Sequence, residues 1–266
     1  HRATSQWFIS MEEKNLRKIL ESEESFLKKE NLIEMGVLEN SVREYLDHHA
    51  VRRMGVLKPL KIVLKNYPED ETEAITAVNH PNRPELGMRE MPFTRELYIE
   101  QNDFMEEAPR KFFRLKPGGE VRLRFAYIIK CEEVIKDDAG NVVELRCTID
   151  PDTKSGSGSS DRKVKGTIHW VSIAHAVPCE VRLYDRLFKS EKPGATDNWH
   201  DDLNPGSLQR LRNCYAEPSL ASATEGNRYQ FERQGYFCVD PDSTGDARVF
   251  NRTVALRDGW AKAKKK

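Results

Sequence analysis

The chain has 266 residues, of which 43 are basic and 43 acidic, so its formal net charge at pH 7 is zero. This length allows one large domain or two small ones, each with a core of its own. The balanced charge excludes binding of nucleic acid through an overall basic surface, so an RNA surface would have to be a local concentration of cations. No apolar run approaches the ~18 residues that a membrane helix needs, so we predict a soluble protein with no membrane partner.

The spacing of apolar residues predicts helices over residues 1–50. Leu38, Val42, Tyr45 and Leu46 recur at the intervals of one helix face. An earlier set follows nearly the same pattern: Leu16, Ile19, Leu20, Phe26 and Leu27. The chain opens at His1 without a signal peptide, and we therefore expect a fragment or a processed piece of a cytoplasmic protein.

From Pro59 onward the pattern changes to short alternating runs divided by Pro, Gly, Asn and Asp, which predicts an all-β region over 51–266. Turns about every ten residues favour barrels over a parallel α/β sheet. We predict a hairpin turn over 137–141 and a flexible loop over 154–160. Strands are predicted over 121–129, 142–149, 164–172, 229–239 and 248–256.

Cations and aromatics are concentrated in RKFFR at 110–114, followed by VRLR at 121–124. On a single strand over 121–129, Arg122 and Arg124 would share one face, about 7 Å apart. Arginine beside aromatic rings is typical of surfaces that read unstacked RNA bases. A solvated strand face with Glu120 as an acidic partner explains the same residues, and composition alone leaves both interpretations open.

The sequence offers no catalytic or metal-binding residues. It contains neither G-x-x-x-x-G-K-[ST] nor G-x-G-x-x-G. His169 and His175 have no carboxylate or Cys at ligand spacing, which favours core or interface histidines over a metal site. The cysteines are irregularly spaced without a C-x-x-C pair, so we predict five reduced thiols: Cys131, Cys147, Cys179, Cys214 and Cys238.

Long blocks of the chain resemble, in order, the C-terminal half of the bacterial glutaminyl-tRNA synthetases, which are class I aminoacyl-tRNA synthetases. The resemblance covers about residues 32–262. It is carried by NHPNRPELG at 79–87, PGGEVRLRFAYIIK at 117–130, DRKVKGTIHWVSIAHAVPCEVRLYDRLFK at 161–189, YAEPSL at 215–220, YQFERQGYFCVD at 229–240 and FNRTVALRDGWAK at 250–262.

This resemblance implies a mainly β fold of two β-barrels, one discontinuous in sequence, preceded by a short α-helical subdomain. It implies that the chain recognises the anticodon of glutamine tRNA, with the catalytic domain of the parent synthetase as a second partner and no role for DNA. The parent would use ATP with magnesium to attach glutamine. HIGH-like and KMSKS-like motifs are missing here, so we predict no cofactor and no activity for the chain alone. The alternative is a β-barrel protein-interaction module without specific RNA readout.

The resemblance also assigns anticodon contacts to individual residues. It implies that Arg114 contacts the third anticodon base and Arg122 the first. Arg52, Gln230 and Arg233 would hold the middle uracil. Each residue has the side chain that the family pattern requires.

Lys111 and Arg124 complete the predicted anticodon site. Departures from the family pattern are Lys111 and Phe113, where relatives can carry Gln and Lys, and Gly259, where a relative has Thr. With Phe113, the third-base pocket would depend more on stacking. RATSQWFISM at 2–11 is similar to a short stretch of isoleucyl- or valyl-tRNA synthetases. Divergence or a chimeric N-terminus would explain it, and we take no function from residues 1–30.

Overall fold

The computed structural model describes residues 35–157, 161–190 and 198–257. The first predicted helix, residues 2–11 and the residues after 257 lie outside this part of the chain. Two compact units divide the protein. Of the described residues, the central unit comprises 52–157, 161–179 and 212–223, and the terminal unit comprises 35–51, 180–190, 198–211 and 224–257.

The described residues form one α-helix and sixteen β-strands. The helix is α1 (Met35–His49). The strands are β1 (Val51–Arg53), β2 (Gly55–Val56), β3 (Pro59–Leu64), β4 (Glu73–Val78), β5 (Met88–Phe93), β6 (Glu96–Glu100), β7 (Glu120–Leu123), β8 (Ile128–Lys136), β9 (Val142–Asp150), β10 (Thr167–Ile168), β11 (Val171–Ser172), β12 (Val177–Tyr184), β13 (Leu208–Ala216), β14 (Arg228–Phe231), β15 (Gly235–Val239) and β16 (Arg248–Ala255). This fold confirms the predicted mainly β class with two barrel-like sheets.

In the terminal unit, α1 packs its apolar face on the sheet. Val42 and Leu46 are buried in a cluster with Tyr236 and Val254, which confirms the predicted helix face. The strands run in the order β14–β15–β16–β12–β13. Phe231 stacks on Phe237 within the β14–β15 hairpin, with 4.4 Å between the ring centroids, so this hairpin has an aromatic core.

The central unit is built on a sheet of order β10–β7–β8–β9–β3–β6–β11, with β4 and β5 as a separate hairpin. Its core contains Phe93, whose ring meets Trp170 edge to face at 5.1 Å and Tyr67 at 5.2 Å. Burial raises the pKa of Tyr67 to about 12. Cys131 and Cys147 face each other across β8 and β9, and all five cysteines are buried free thiols.

The prediction of one strand over 121–129 is wrong, because the chain reverses there between β7 and β8. Ala126 N donates to Leu123 O at 2.9 Å, and Phe125 has a left-handed φ of 65°. The apolar alternation continues through the turn, and an aromatic residue rarely adopts this φ. The sequence pattern therefore gave no sign of the turn and predicted one continuous strand.

Two other predicted strands are also interrupted. Residues 164–172 contain β10, which pairs parallel with β7, and β11, which pairs antiparallel with β6. Residues 229–239 form the β14–β15 hairpin. By contrast, the turn over 137–141 is confirmed, since Asp137 N donates to Asn141 O at 2.9 Å. The strands predicted over 142–149 and 248–256 are confirmed to within one residue at each end.

Candidate RNA interface

Arg114 is an exposed cation held in one orientation by the carbonyl of Asn102 and the buried side chain of Asp103. Its Nη1 donates to Asn102 O at 2.9 Å, and its Nε lies 3.5 Å from Asp103 Oδ1. The Asp103 side chain is 2% exposed and that of Arg114 is 45% exposed. Leu115, the next residue, is buried and donates its N–H to Asp103 O at 2.9 Å. Among the described residues Arg114 Nη2 has no hydrogen-bond partner, so the oriented guanidinium offers donors to a ligand.

Lys111 lies three residues earlier on the same loop and is exposed. No group of the described chain bonds its ammonium. Lys111 and Arg114 therefore lie in one loop, and of the two only Arg114 is held in a fixed orientation.

Arg122 is half-buried and holds the segment after β9. Its Nη1 donates to Thr153 O at 2.7 Å and to Ser155 Oγ at 3.2 Å, and its Nη2 donates to Arg162 O at 3.0 Å. The expected exposed strand face is therefore wrong. Glu120 is not its partner either, because that carboxylate accepts two hydrogen bonds from Arg162 Nη2, at 2.7 and 2.8 Å.

Arg124 lies in the β7–β8 turn and not beside Arg122 on a strand face, which corrects the predicted pairing. Its guanidinium carbon is 4.7 Å from the centroid of the Phe125 ring. Its carbonyl accepts a 2.9 Å hydrogen bond from Trp170 Nε1. A cation stacked on its neighbour's ring and a backbone tied to the core keep the turn in one conformation.

Replacing Arg122 by alanine should lower the free energy of unfolding by about 1–3 kcal/mol, because its charge-assisted hydrogen bonds to Thr153, Ser155 and Arg162 are lost. Arg162→Ala is the matched control: it keeps the accepting carbonyl, and its exposed ion pairs are worth at most about 1 kcal/mol. Thermal melts of both variants measure the difference. Equal melting temperatures for Arg122→Ala and the wild type would contradict the structural role.

Gln230 has an amide whose orientation the structure fixes. Tyr236 Oη donates to Asp47 Oδ1 at 2.9 Å, because a carboxylate oxygen can only accept. The same hydroxyl lies 3.2 Å from Gln230 Nε2 and must therefore accept from that nitrogen. Gln230 Oε1 accepts no hydrogen bond from the described residues. One N–H of Nε2 and the whole of Oε1 are left for a ligand.

Arg233 occupies the tight turn between β14 and β15. Its φ is 67°, and Gln234 N closes the turn on Phe231 O at 2.9 Å. A left-handed backbone costs an L-residue with a Cβ roughly 1–2 kcal/mol relative to glycine. Strained positions of this kind cluster at functional sites, and Arg233 is exposed, as a residue that contacts a ligand must be.

Arg233→Gly and Arg233→Ala should therefore differ in stability although both lose the guanidinium. Only glycine relieves the left-handed strain, so we expect Arg233→Gly to be more stable than Arg233→Ala by about 1 kcal/mol. Both should lose RNA affinity to the same extent. Chemical denaturation and RNA binding of the two proteins provide the check, and unequal RNA affinities would show that the turn conformation, rather than the side chain, matters.

Arg52 is 6% exposed, so only a small part of it is accessible. Its N–H donates to Asn79 O at 2.7 Å, and its carbonyl accepts from Arg53 Nη1 at 2.8 Å. The structure thus places Lys111, Arg114, Arg122 and Arg124 with Arg52 in the central unit, and Gln230 with Arg233 in the terminal unit. Direct RNA contacts by these residues stay predictions.

Sequence reasoning missed the residues that orient the predicted ones. Asp103 fixes Arg114, and Tyr236 with Asp47 fixes Gln230. No local pattern marks these residues, because Asp47 and Tyr236 meet only through the fold. Gly166 lies against the backbone of Phe113, where a Cβ would not fit. Its position inside a predicted strand is the signal that could have identified this contact, since such a glycine often marks a close approach of two backbones.

His169 and His175 each lie beside a polar neighbour. His169 is fully buried with Nε2 3.6 Å from Glu100 Oε1, and His175 Nδ1 lies 3.1 Å from Ser172 Oγ. Within residues 35–157, 161–190 and 198–257, no three metal-ligating side chains cluster and no helix is long and apolar enough to cross a membrane. The buried position confirms a core role for His169.

The described residues thus place oriented cations and a fixed amide on barrel-like sheets, and sequence comparison shows which family has this arrangement. A family model described as "tRNA synthetases class I (E and Q), anti-codon binding domain" matches residues 50–150. A second model with the same description matches residues 167–240. The chain belongs to the anticodon-binding domains of these class I tRNA synthetases.

Among individual proteins, the chain is similar to several named "Glutamine--tRNA ligase". The protein from Nitrobacter winogradskyi is 55% identical over 235 residues, which are 88% of this chain and 42% of that protein. The Citrobacter koseri protein is 54% identical over 237 residues (89% and 42%), and the Rhodopirellula baltica protein is 57% identical over 232 residues (86% and 38%). The chain thus spans about two fifths of the length of these relatives.

Proposed function

We propose that the chain is the anticodon-reading, C-terminal part of a glutamine–tRNA ligase and that its RNA partner is glutamine tRNA. The observation that carries this proposal is 55% identity to a glutamine–tRNA ligase over 88% of the chain. The parent enzyme would work in the cytoplasm and attach glutamine to this tRNA. ATP and magnesium would bind to its catalytic domain, the second partner of this chain.

Gln230 supplies the readout of the middle base, uracil. The N3–H of uracil would donate to Gln230 Oε1, and the O4 carbonyl of uracil would accept from the remaining N–H of Nε2. Cytosine presents an acceptor at N3 and an amino donor beside it, so both hydrogen bonds would be lost. Leaving such polar groups unpaired in a closed pocket costs about 1–3 kcal/mol, which is the source of the selectivity.

Arg114 supplies the readout of the third base, which is guanine in glutamine anticodons. Its free N–H groups match the acceptors of guanine, and the Asp103 carboxylate keeps the guanidinium from rotating away. Arg122 already donates to three loop acceptors, which supports an indirect part in reading the first base: it would shape the 153–157 loop.

Nitrocellulose-filter binding tests this function. The chain should retain glutamine tRNA and should bind a variant with cytosine at the middle anticodon position about 5- to 150-fold more weakly, at one salt concentration. Equal affinities would exclude base readout. Absence of tRNA binding altogether would favour the protein-interaction module.

A further inference from the structure

Phe113 is an exposed aromatic ring with one cation over its face, and its neighbours in the chain include Lys111 and Arg114. Its exposed fraction is 51%, and among the described residues only Trp199, at 48%, is another exposed Phe, Tyr or Trp. Lys165 Nζ lies over the Phe113 ring, 5.4 Å from its centroid. Exposing a phenyl ring forgoes the gain from burying it, so an exposed ring among cations indicates a binding surface for a flat, electron-rich ligand.

The backbone under Phe113 is held in place by a contact that only glycine allows. A Cβ at Gly166 would lie 2.1 Å from Phe113 O, so the loop rests directly on the residue before β10. Gly166 O in turn accepts from Arg122 N at 2.9 Å, which ties this contact to β7. Phe113 and Lys165 are therefore set by the sheet and not by a free loop.

One face of the ring carries the Lys165 ammonium, and about half of the residue is exposed, so a planar ligand can reach the ring. The adjacent Arg114 offers hydrogen-bond donors and no acceptor. Lys111 adds a further cation without adding an acceptor. Such a surface selects a ligand with a π face, acceptor atoms at its edge and negative charge nearby, and a nucleotide base with its phosphate has all three.

We propose that Phe113, backed by Lys165, is a stacking platform for the unpaired base whose edge Arg114 reads. This inference rests on the proposed function and deepens it, because it assigns two tasks to neighbouring residues. Arg114 would distinguish guanine by its edge. Phe113 would hold any base at this position, and a purine more strongly than a pyrimidine, because stacking scales with the ring area.

The test uses glutamine tRNA and a second tRNA that lacks only the third anticodon base, an abasic nucleotide. Phe113→Ala should weaken binding of intact tRNA by about 10-fold, and Phe113→Trp should restore it to within about 3-fold. On the abasic tRNA, wild type and Phe113→Ala should bind alike. Trp199→Ala, which removes the other exposed aromatic, is the matched control and should leave binding of intact tRNA unchanged.

Two results would overturn the platform. One is an unchanged affinity of Phe113→Ala for intact tRNA, and the other is the same loss on the abasic tRNA, which would place the contact elsewhere. Failure of the proposed function looks different, because the wild-type chain would then fail to distinguish anticodon variants at all. A loss of affinity of Phe113→Ala for an acidic peptide but not for tRNA would assign the ring to a protein partner and also overturn the platform.

Discussion

Replacing Gln230 by alanine should cost about 1–3 kcal/mol of binding free energy, roughly 5- to 150-fold, against tRNA with uracil at the middle anticodon position. Tyr236 orients the Gln230 amide, and the described residues leave both a donor and an acceptor of that amide open. Against tRNA with cytosine there, the loss should be clearly smaller, because the pairing is already absent. The variant should therefore show a smaller difference in affinity between the uracil tRNA and the cytosine tRNA than the wild type does.

Dissociation constants for both tRNAs at one salt concentration measure this effect. Gln234→Ala is the matched control, because it removes a glutamine from the same hairpin while keeping the backbone N–H that closes the turn. Gln234→Ala should leave the ratio of the two dissociation constants at its wild-type value. Equal losses of Gln230→Ala on both RNAs would make Gln230 a scaffold residue that serves only to hold Tyr236.

Replacing Glu217 by alanine should lower the free energy of unfolding by about 3–5 kcal/mol, since it leaves a buried charge uncompensated. The Glu217 side chain is 2% exposed. Its Oε1 accepts from Arg89 Nε at 2.6 Å and its Oε2 from Arg89 Nη2 at 2.9 Å. Met54 N also donates to Oε2, at 2.8 Å, so the carboxylate joins two distant parts of the central unit.

Urea unfolding monitored by circular dichroism gives the free energy directly. Glu85→Ala serves as the control, because Glu85 pairs with Arg83 at 2.7 Å on the surface and is exposed. The free energy of unfolding of Glu85→Ala should lie within about 1 kcal/mol of the wild-type value. A Glu217→Ala protein as stable as Glu85→Ala would show that the buried pair contributes nothing net to stability.

The sequence pattern predicted β9 and β16 to within one residue, whereas three other predicted strands each contain a turn or break that the pattern did not predict. Alternation identified β9 and β16 because their flanks carry ordinary turn residues, such as Asp137 and Gly140. The turns at Phe125 and Arg233 escaped because bulky residues adopt left-handed backbone there, where turn patterns anticipate Gly or Asn. Both unpredicted turns lie beside or at predicted site residues, and functional sites are where the observed backbone is expected to depart from local sequence preference.

The candidate site was predictable in residue type and not in orientation. Resemblance to a family supplied Arg114 and Gln230. The groups that hold them come from elsewhere in the fold: Asp47 and Tyr236 are 189 positions apart. The same holds for Arg122, whose acceptors lie in the segment after β9. The strand pattern therefore predicted an exposed cation where the structure has a half-buried arginine that holds this segment.

Transplanting the anticodon tests the central claim, base readout, most directly. An unrelated tRNA is given the anticodon CUG, and its dissociation constant for the wild-type chain is measured beside those of its parent and of glutamine tRNA, at one salt concentration. The transplanted tRNA should bind more tightly than its parent by at least about 10-fold and approach glutamine tRNA, because base contacts specify while phosphate contacts are common to both. An affinity that stays at the parent's value would contradict anticodon readout by this chain.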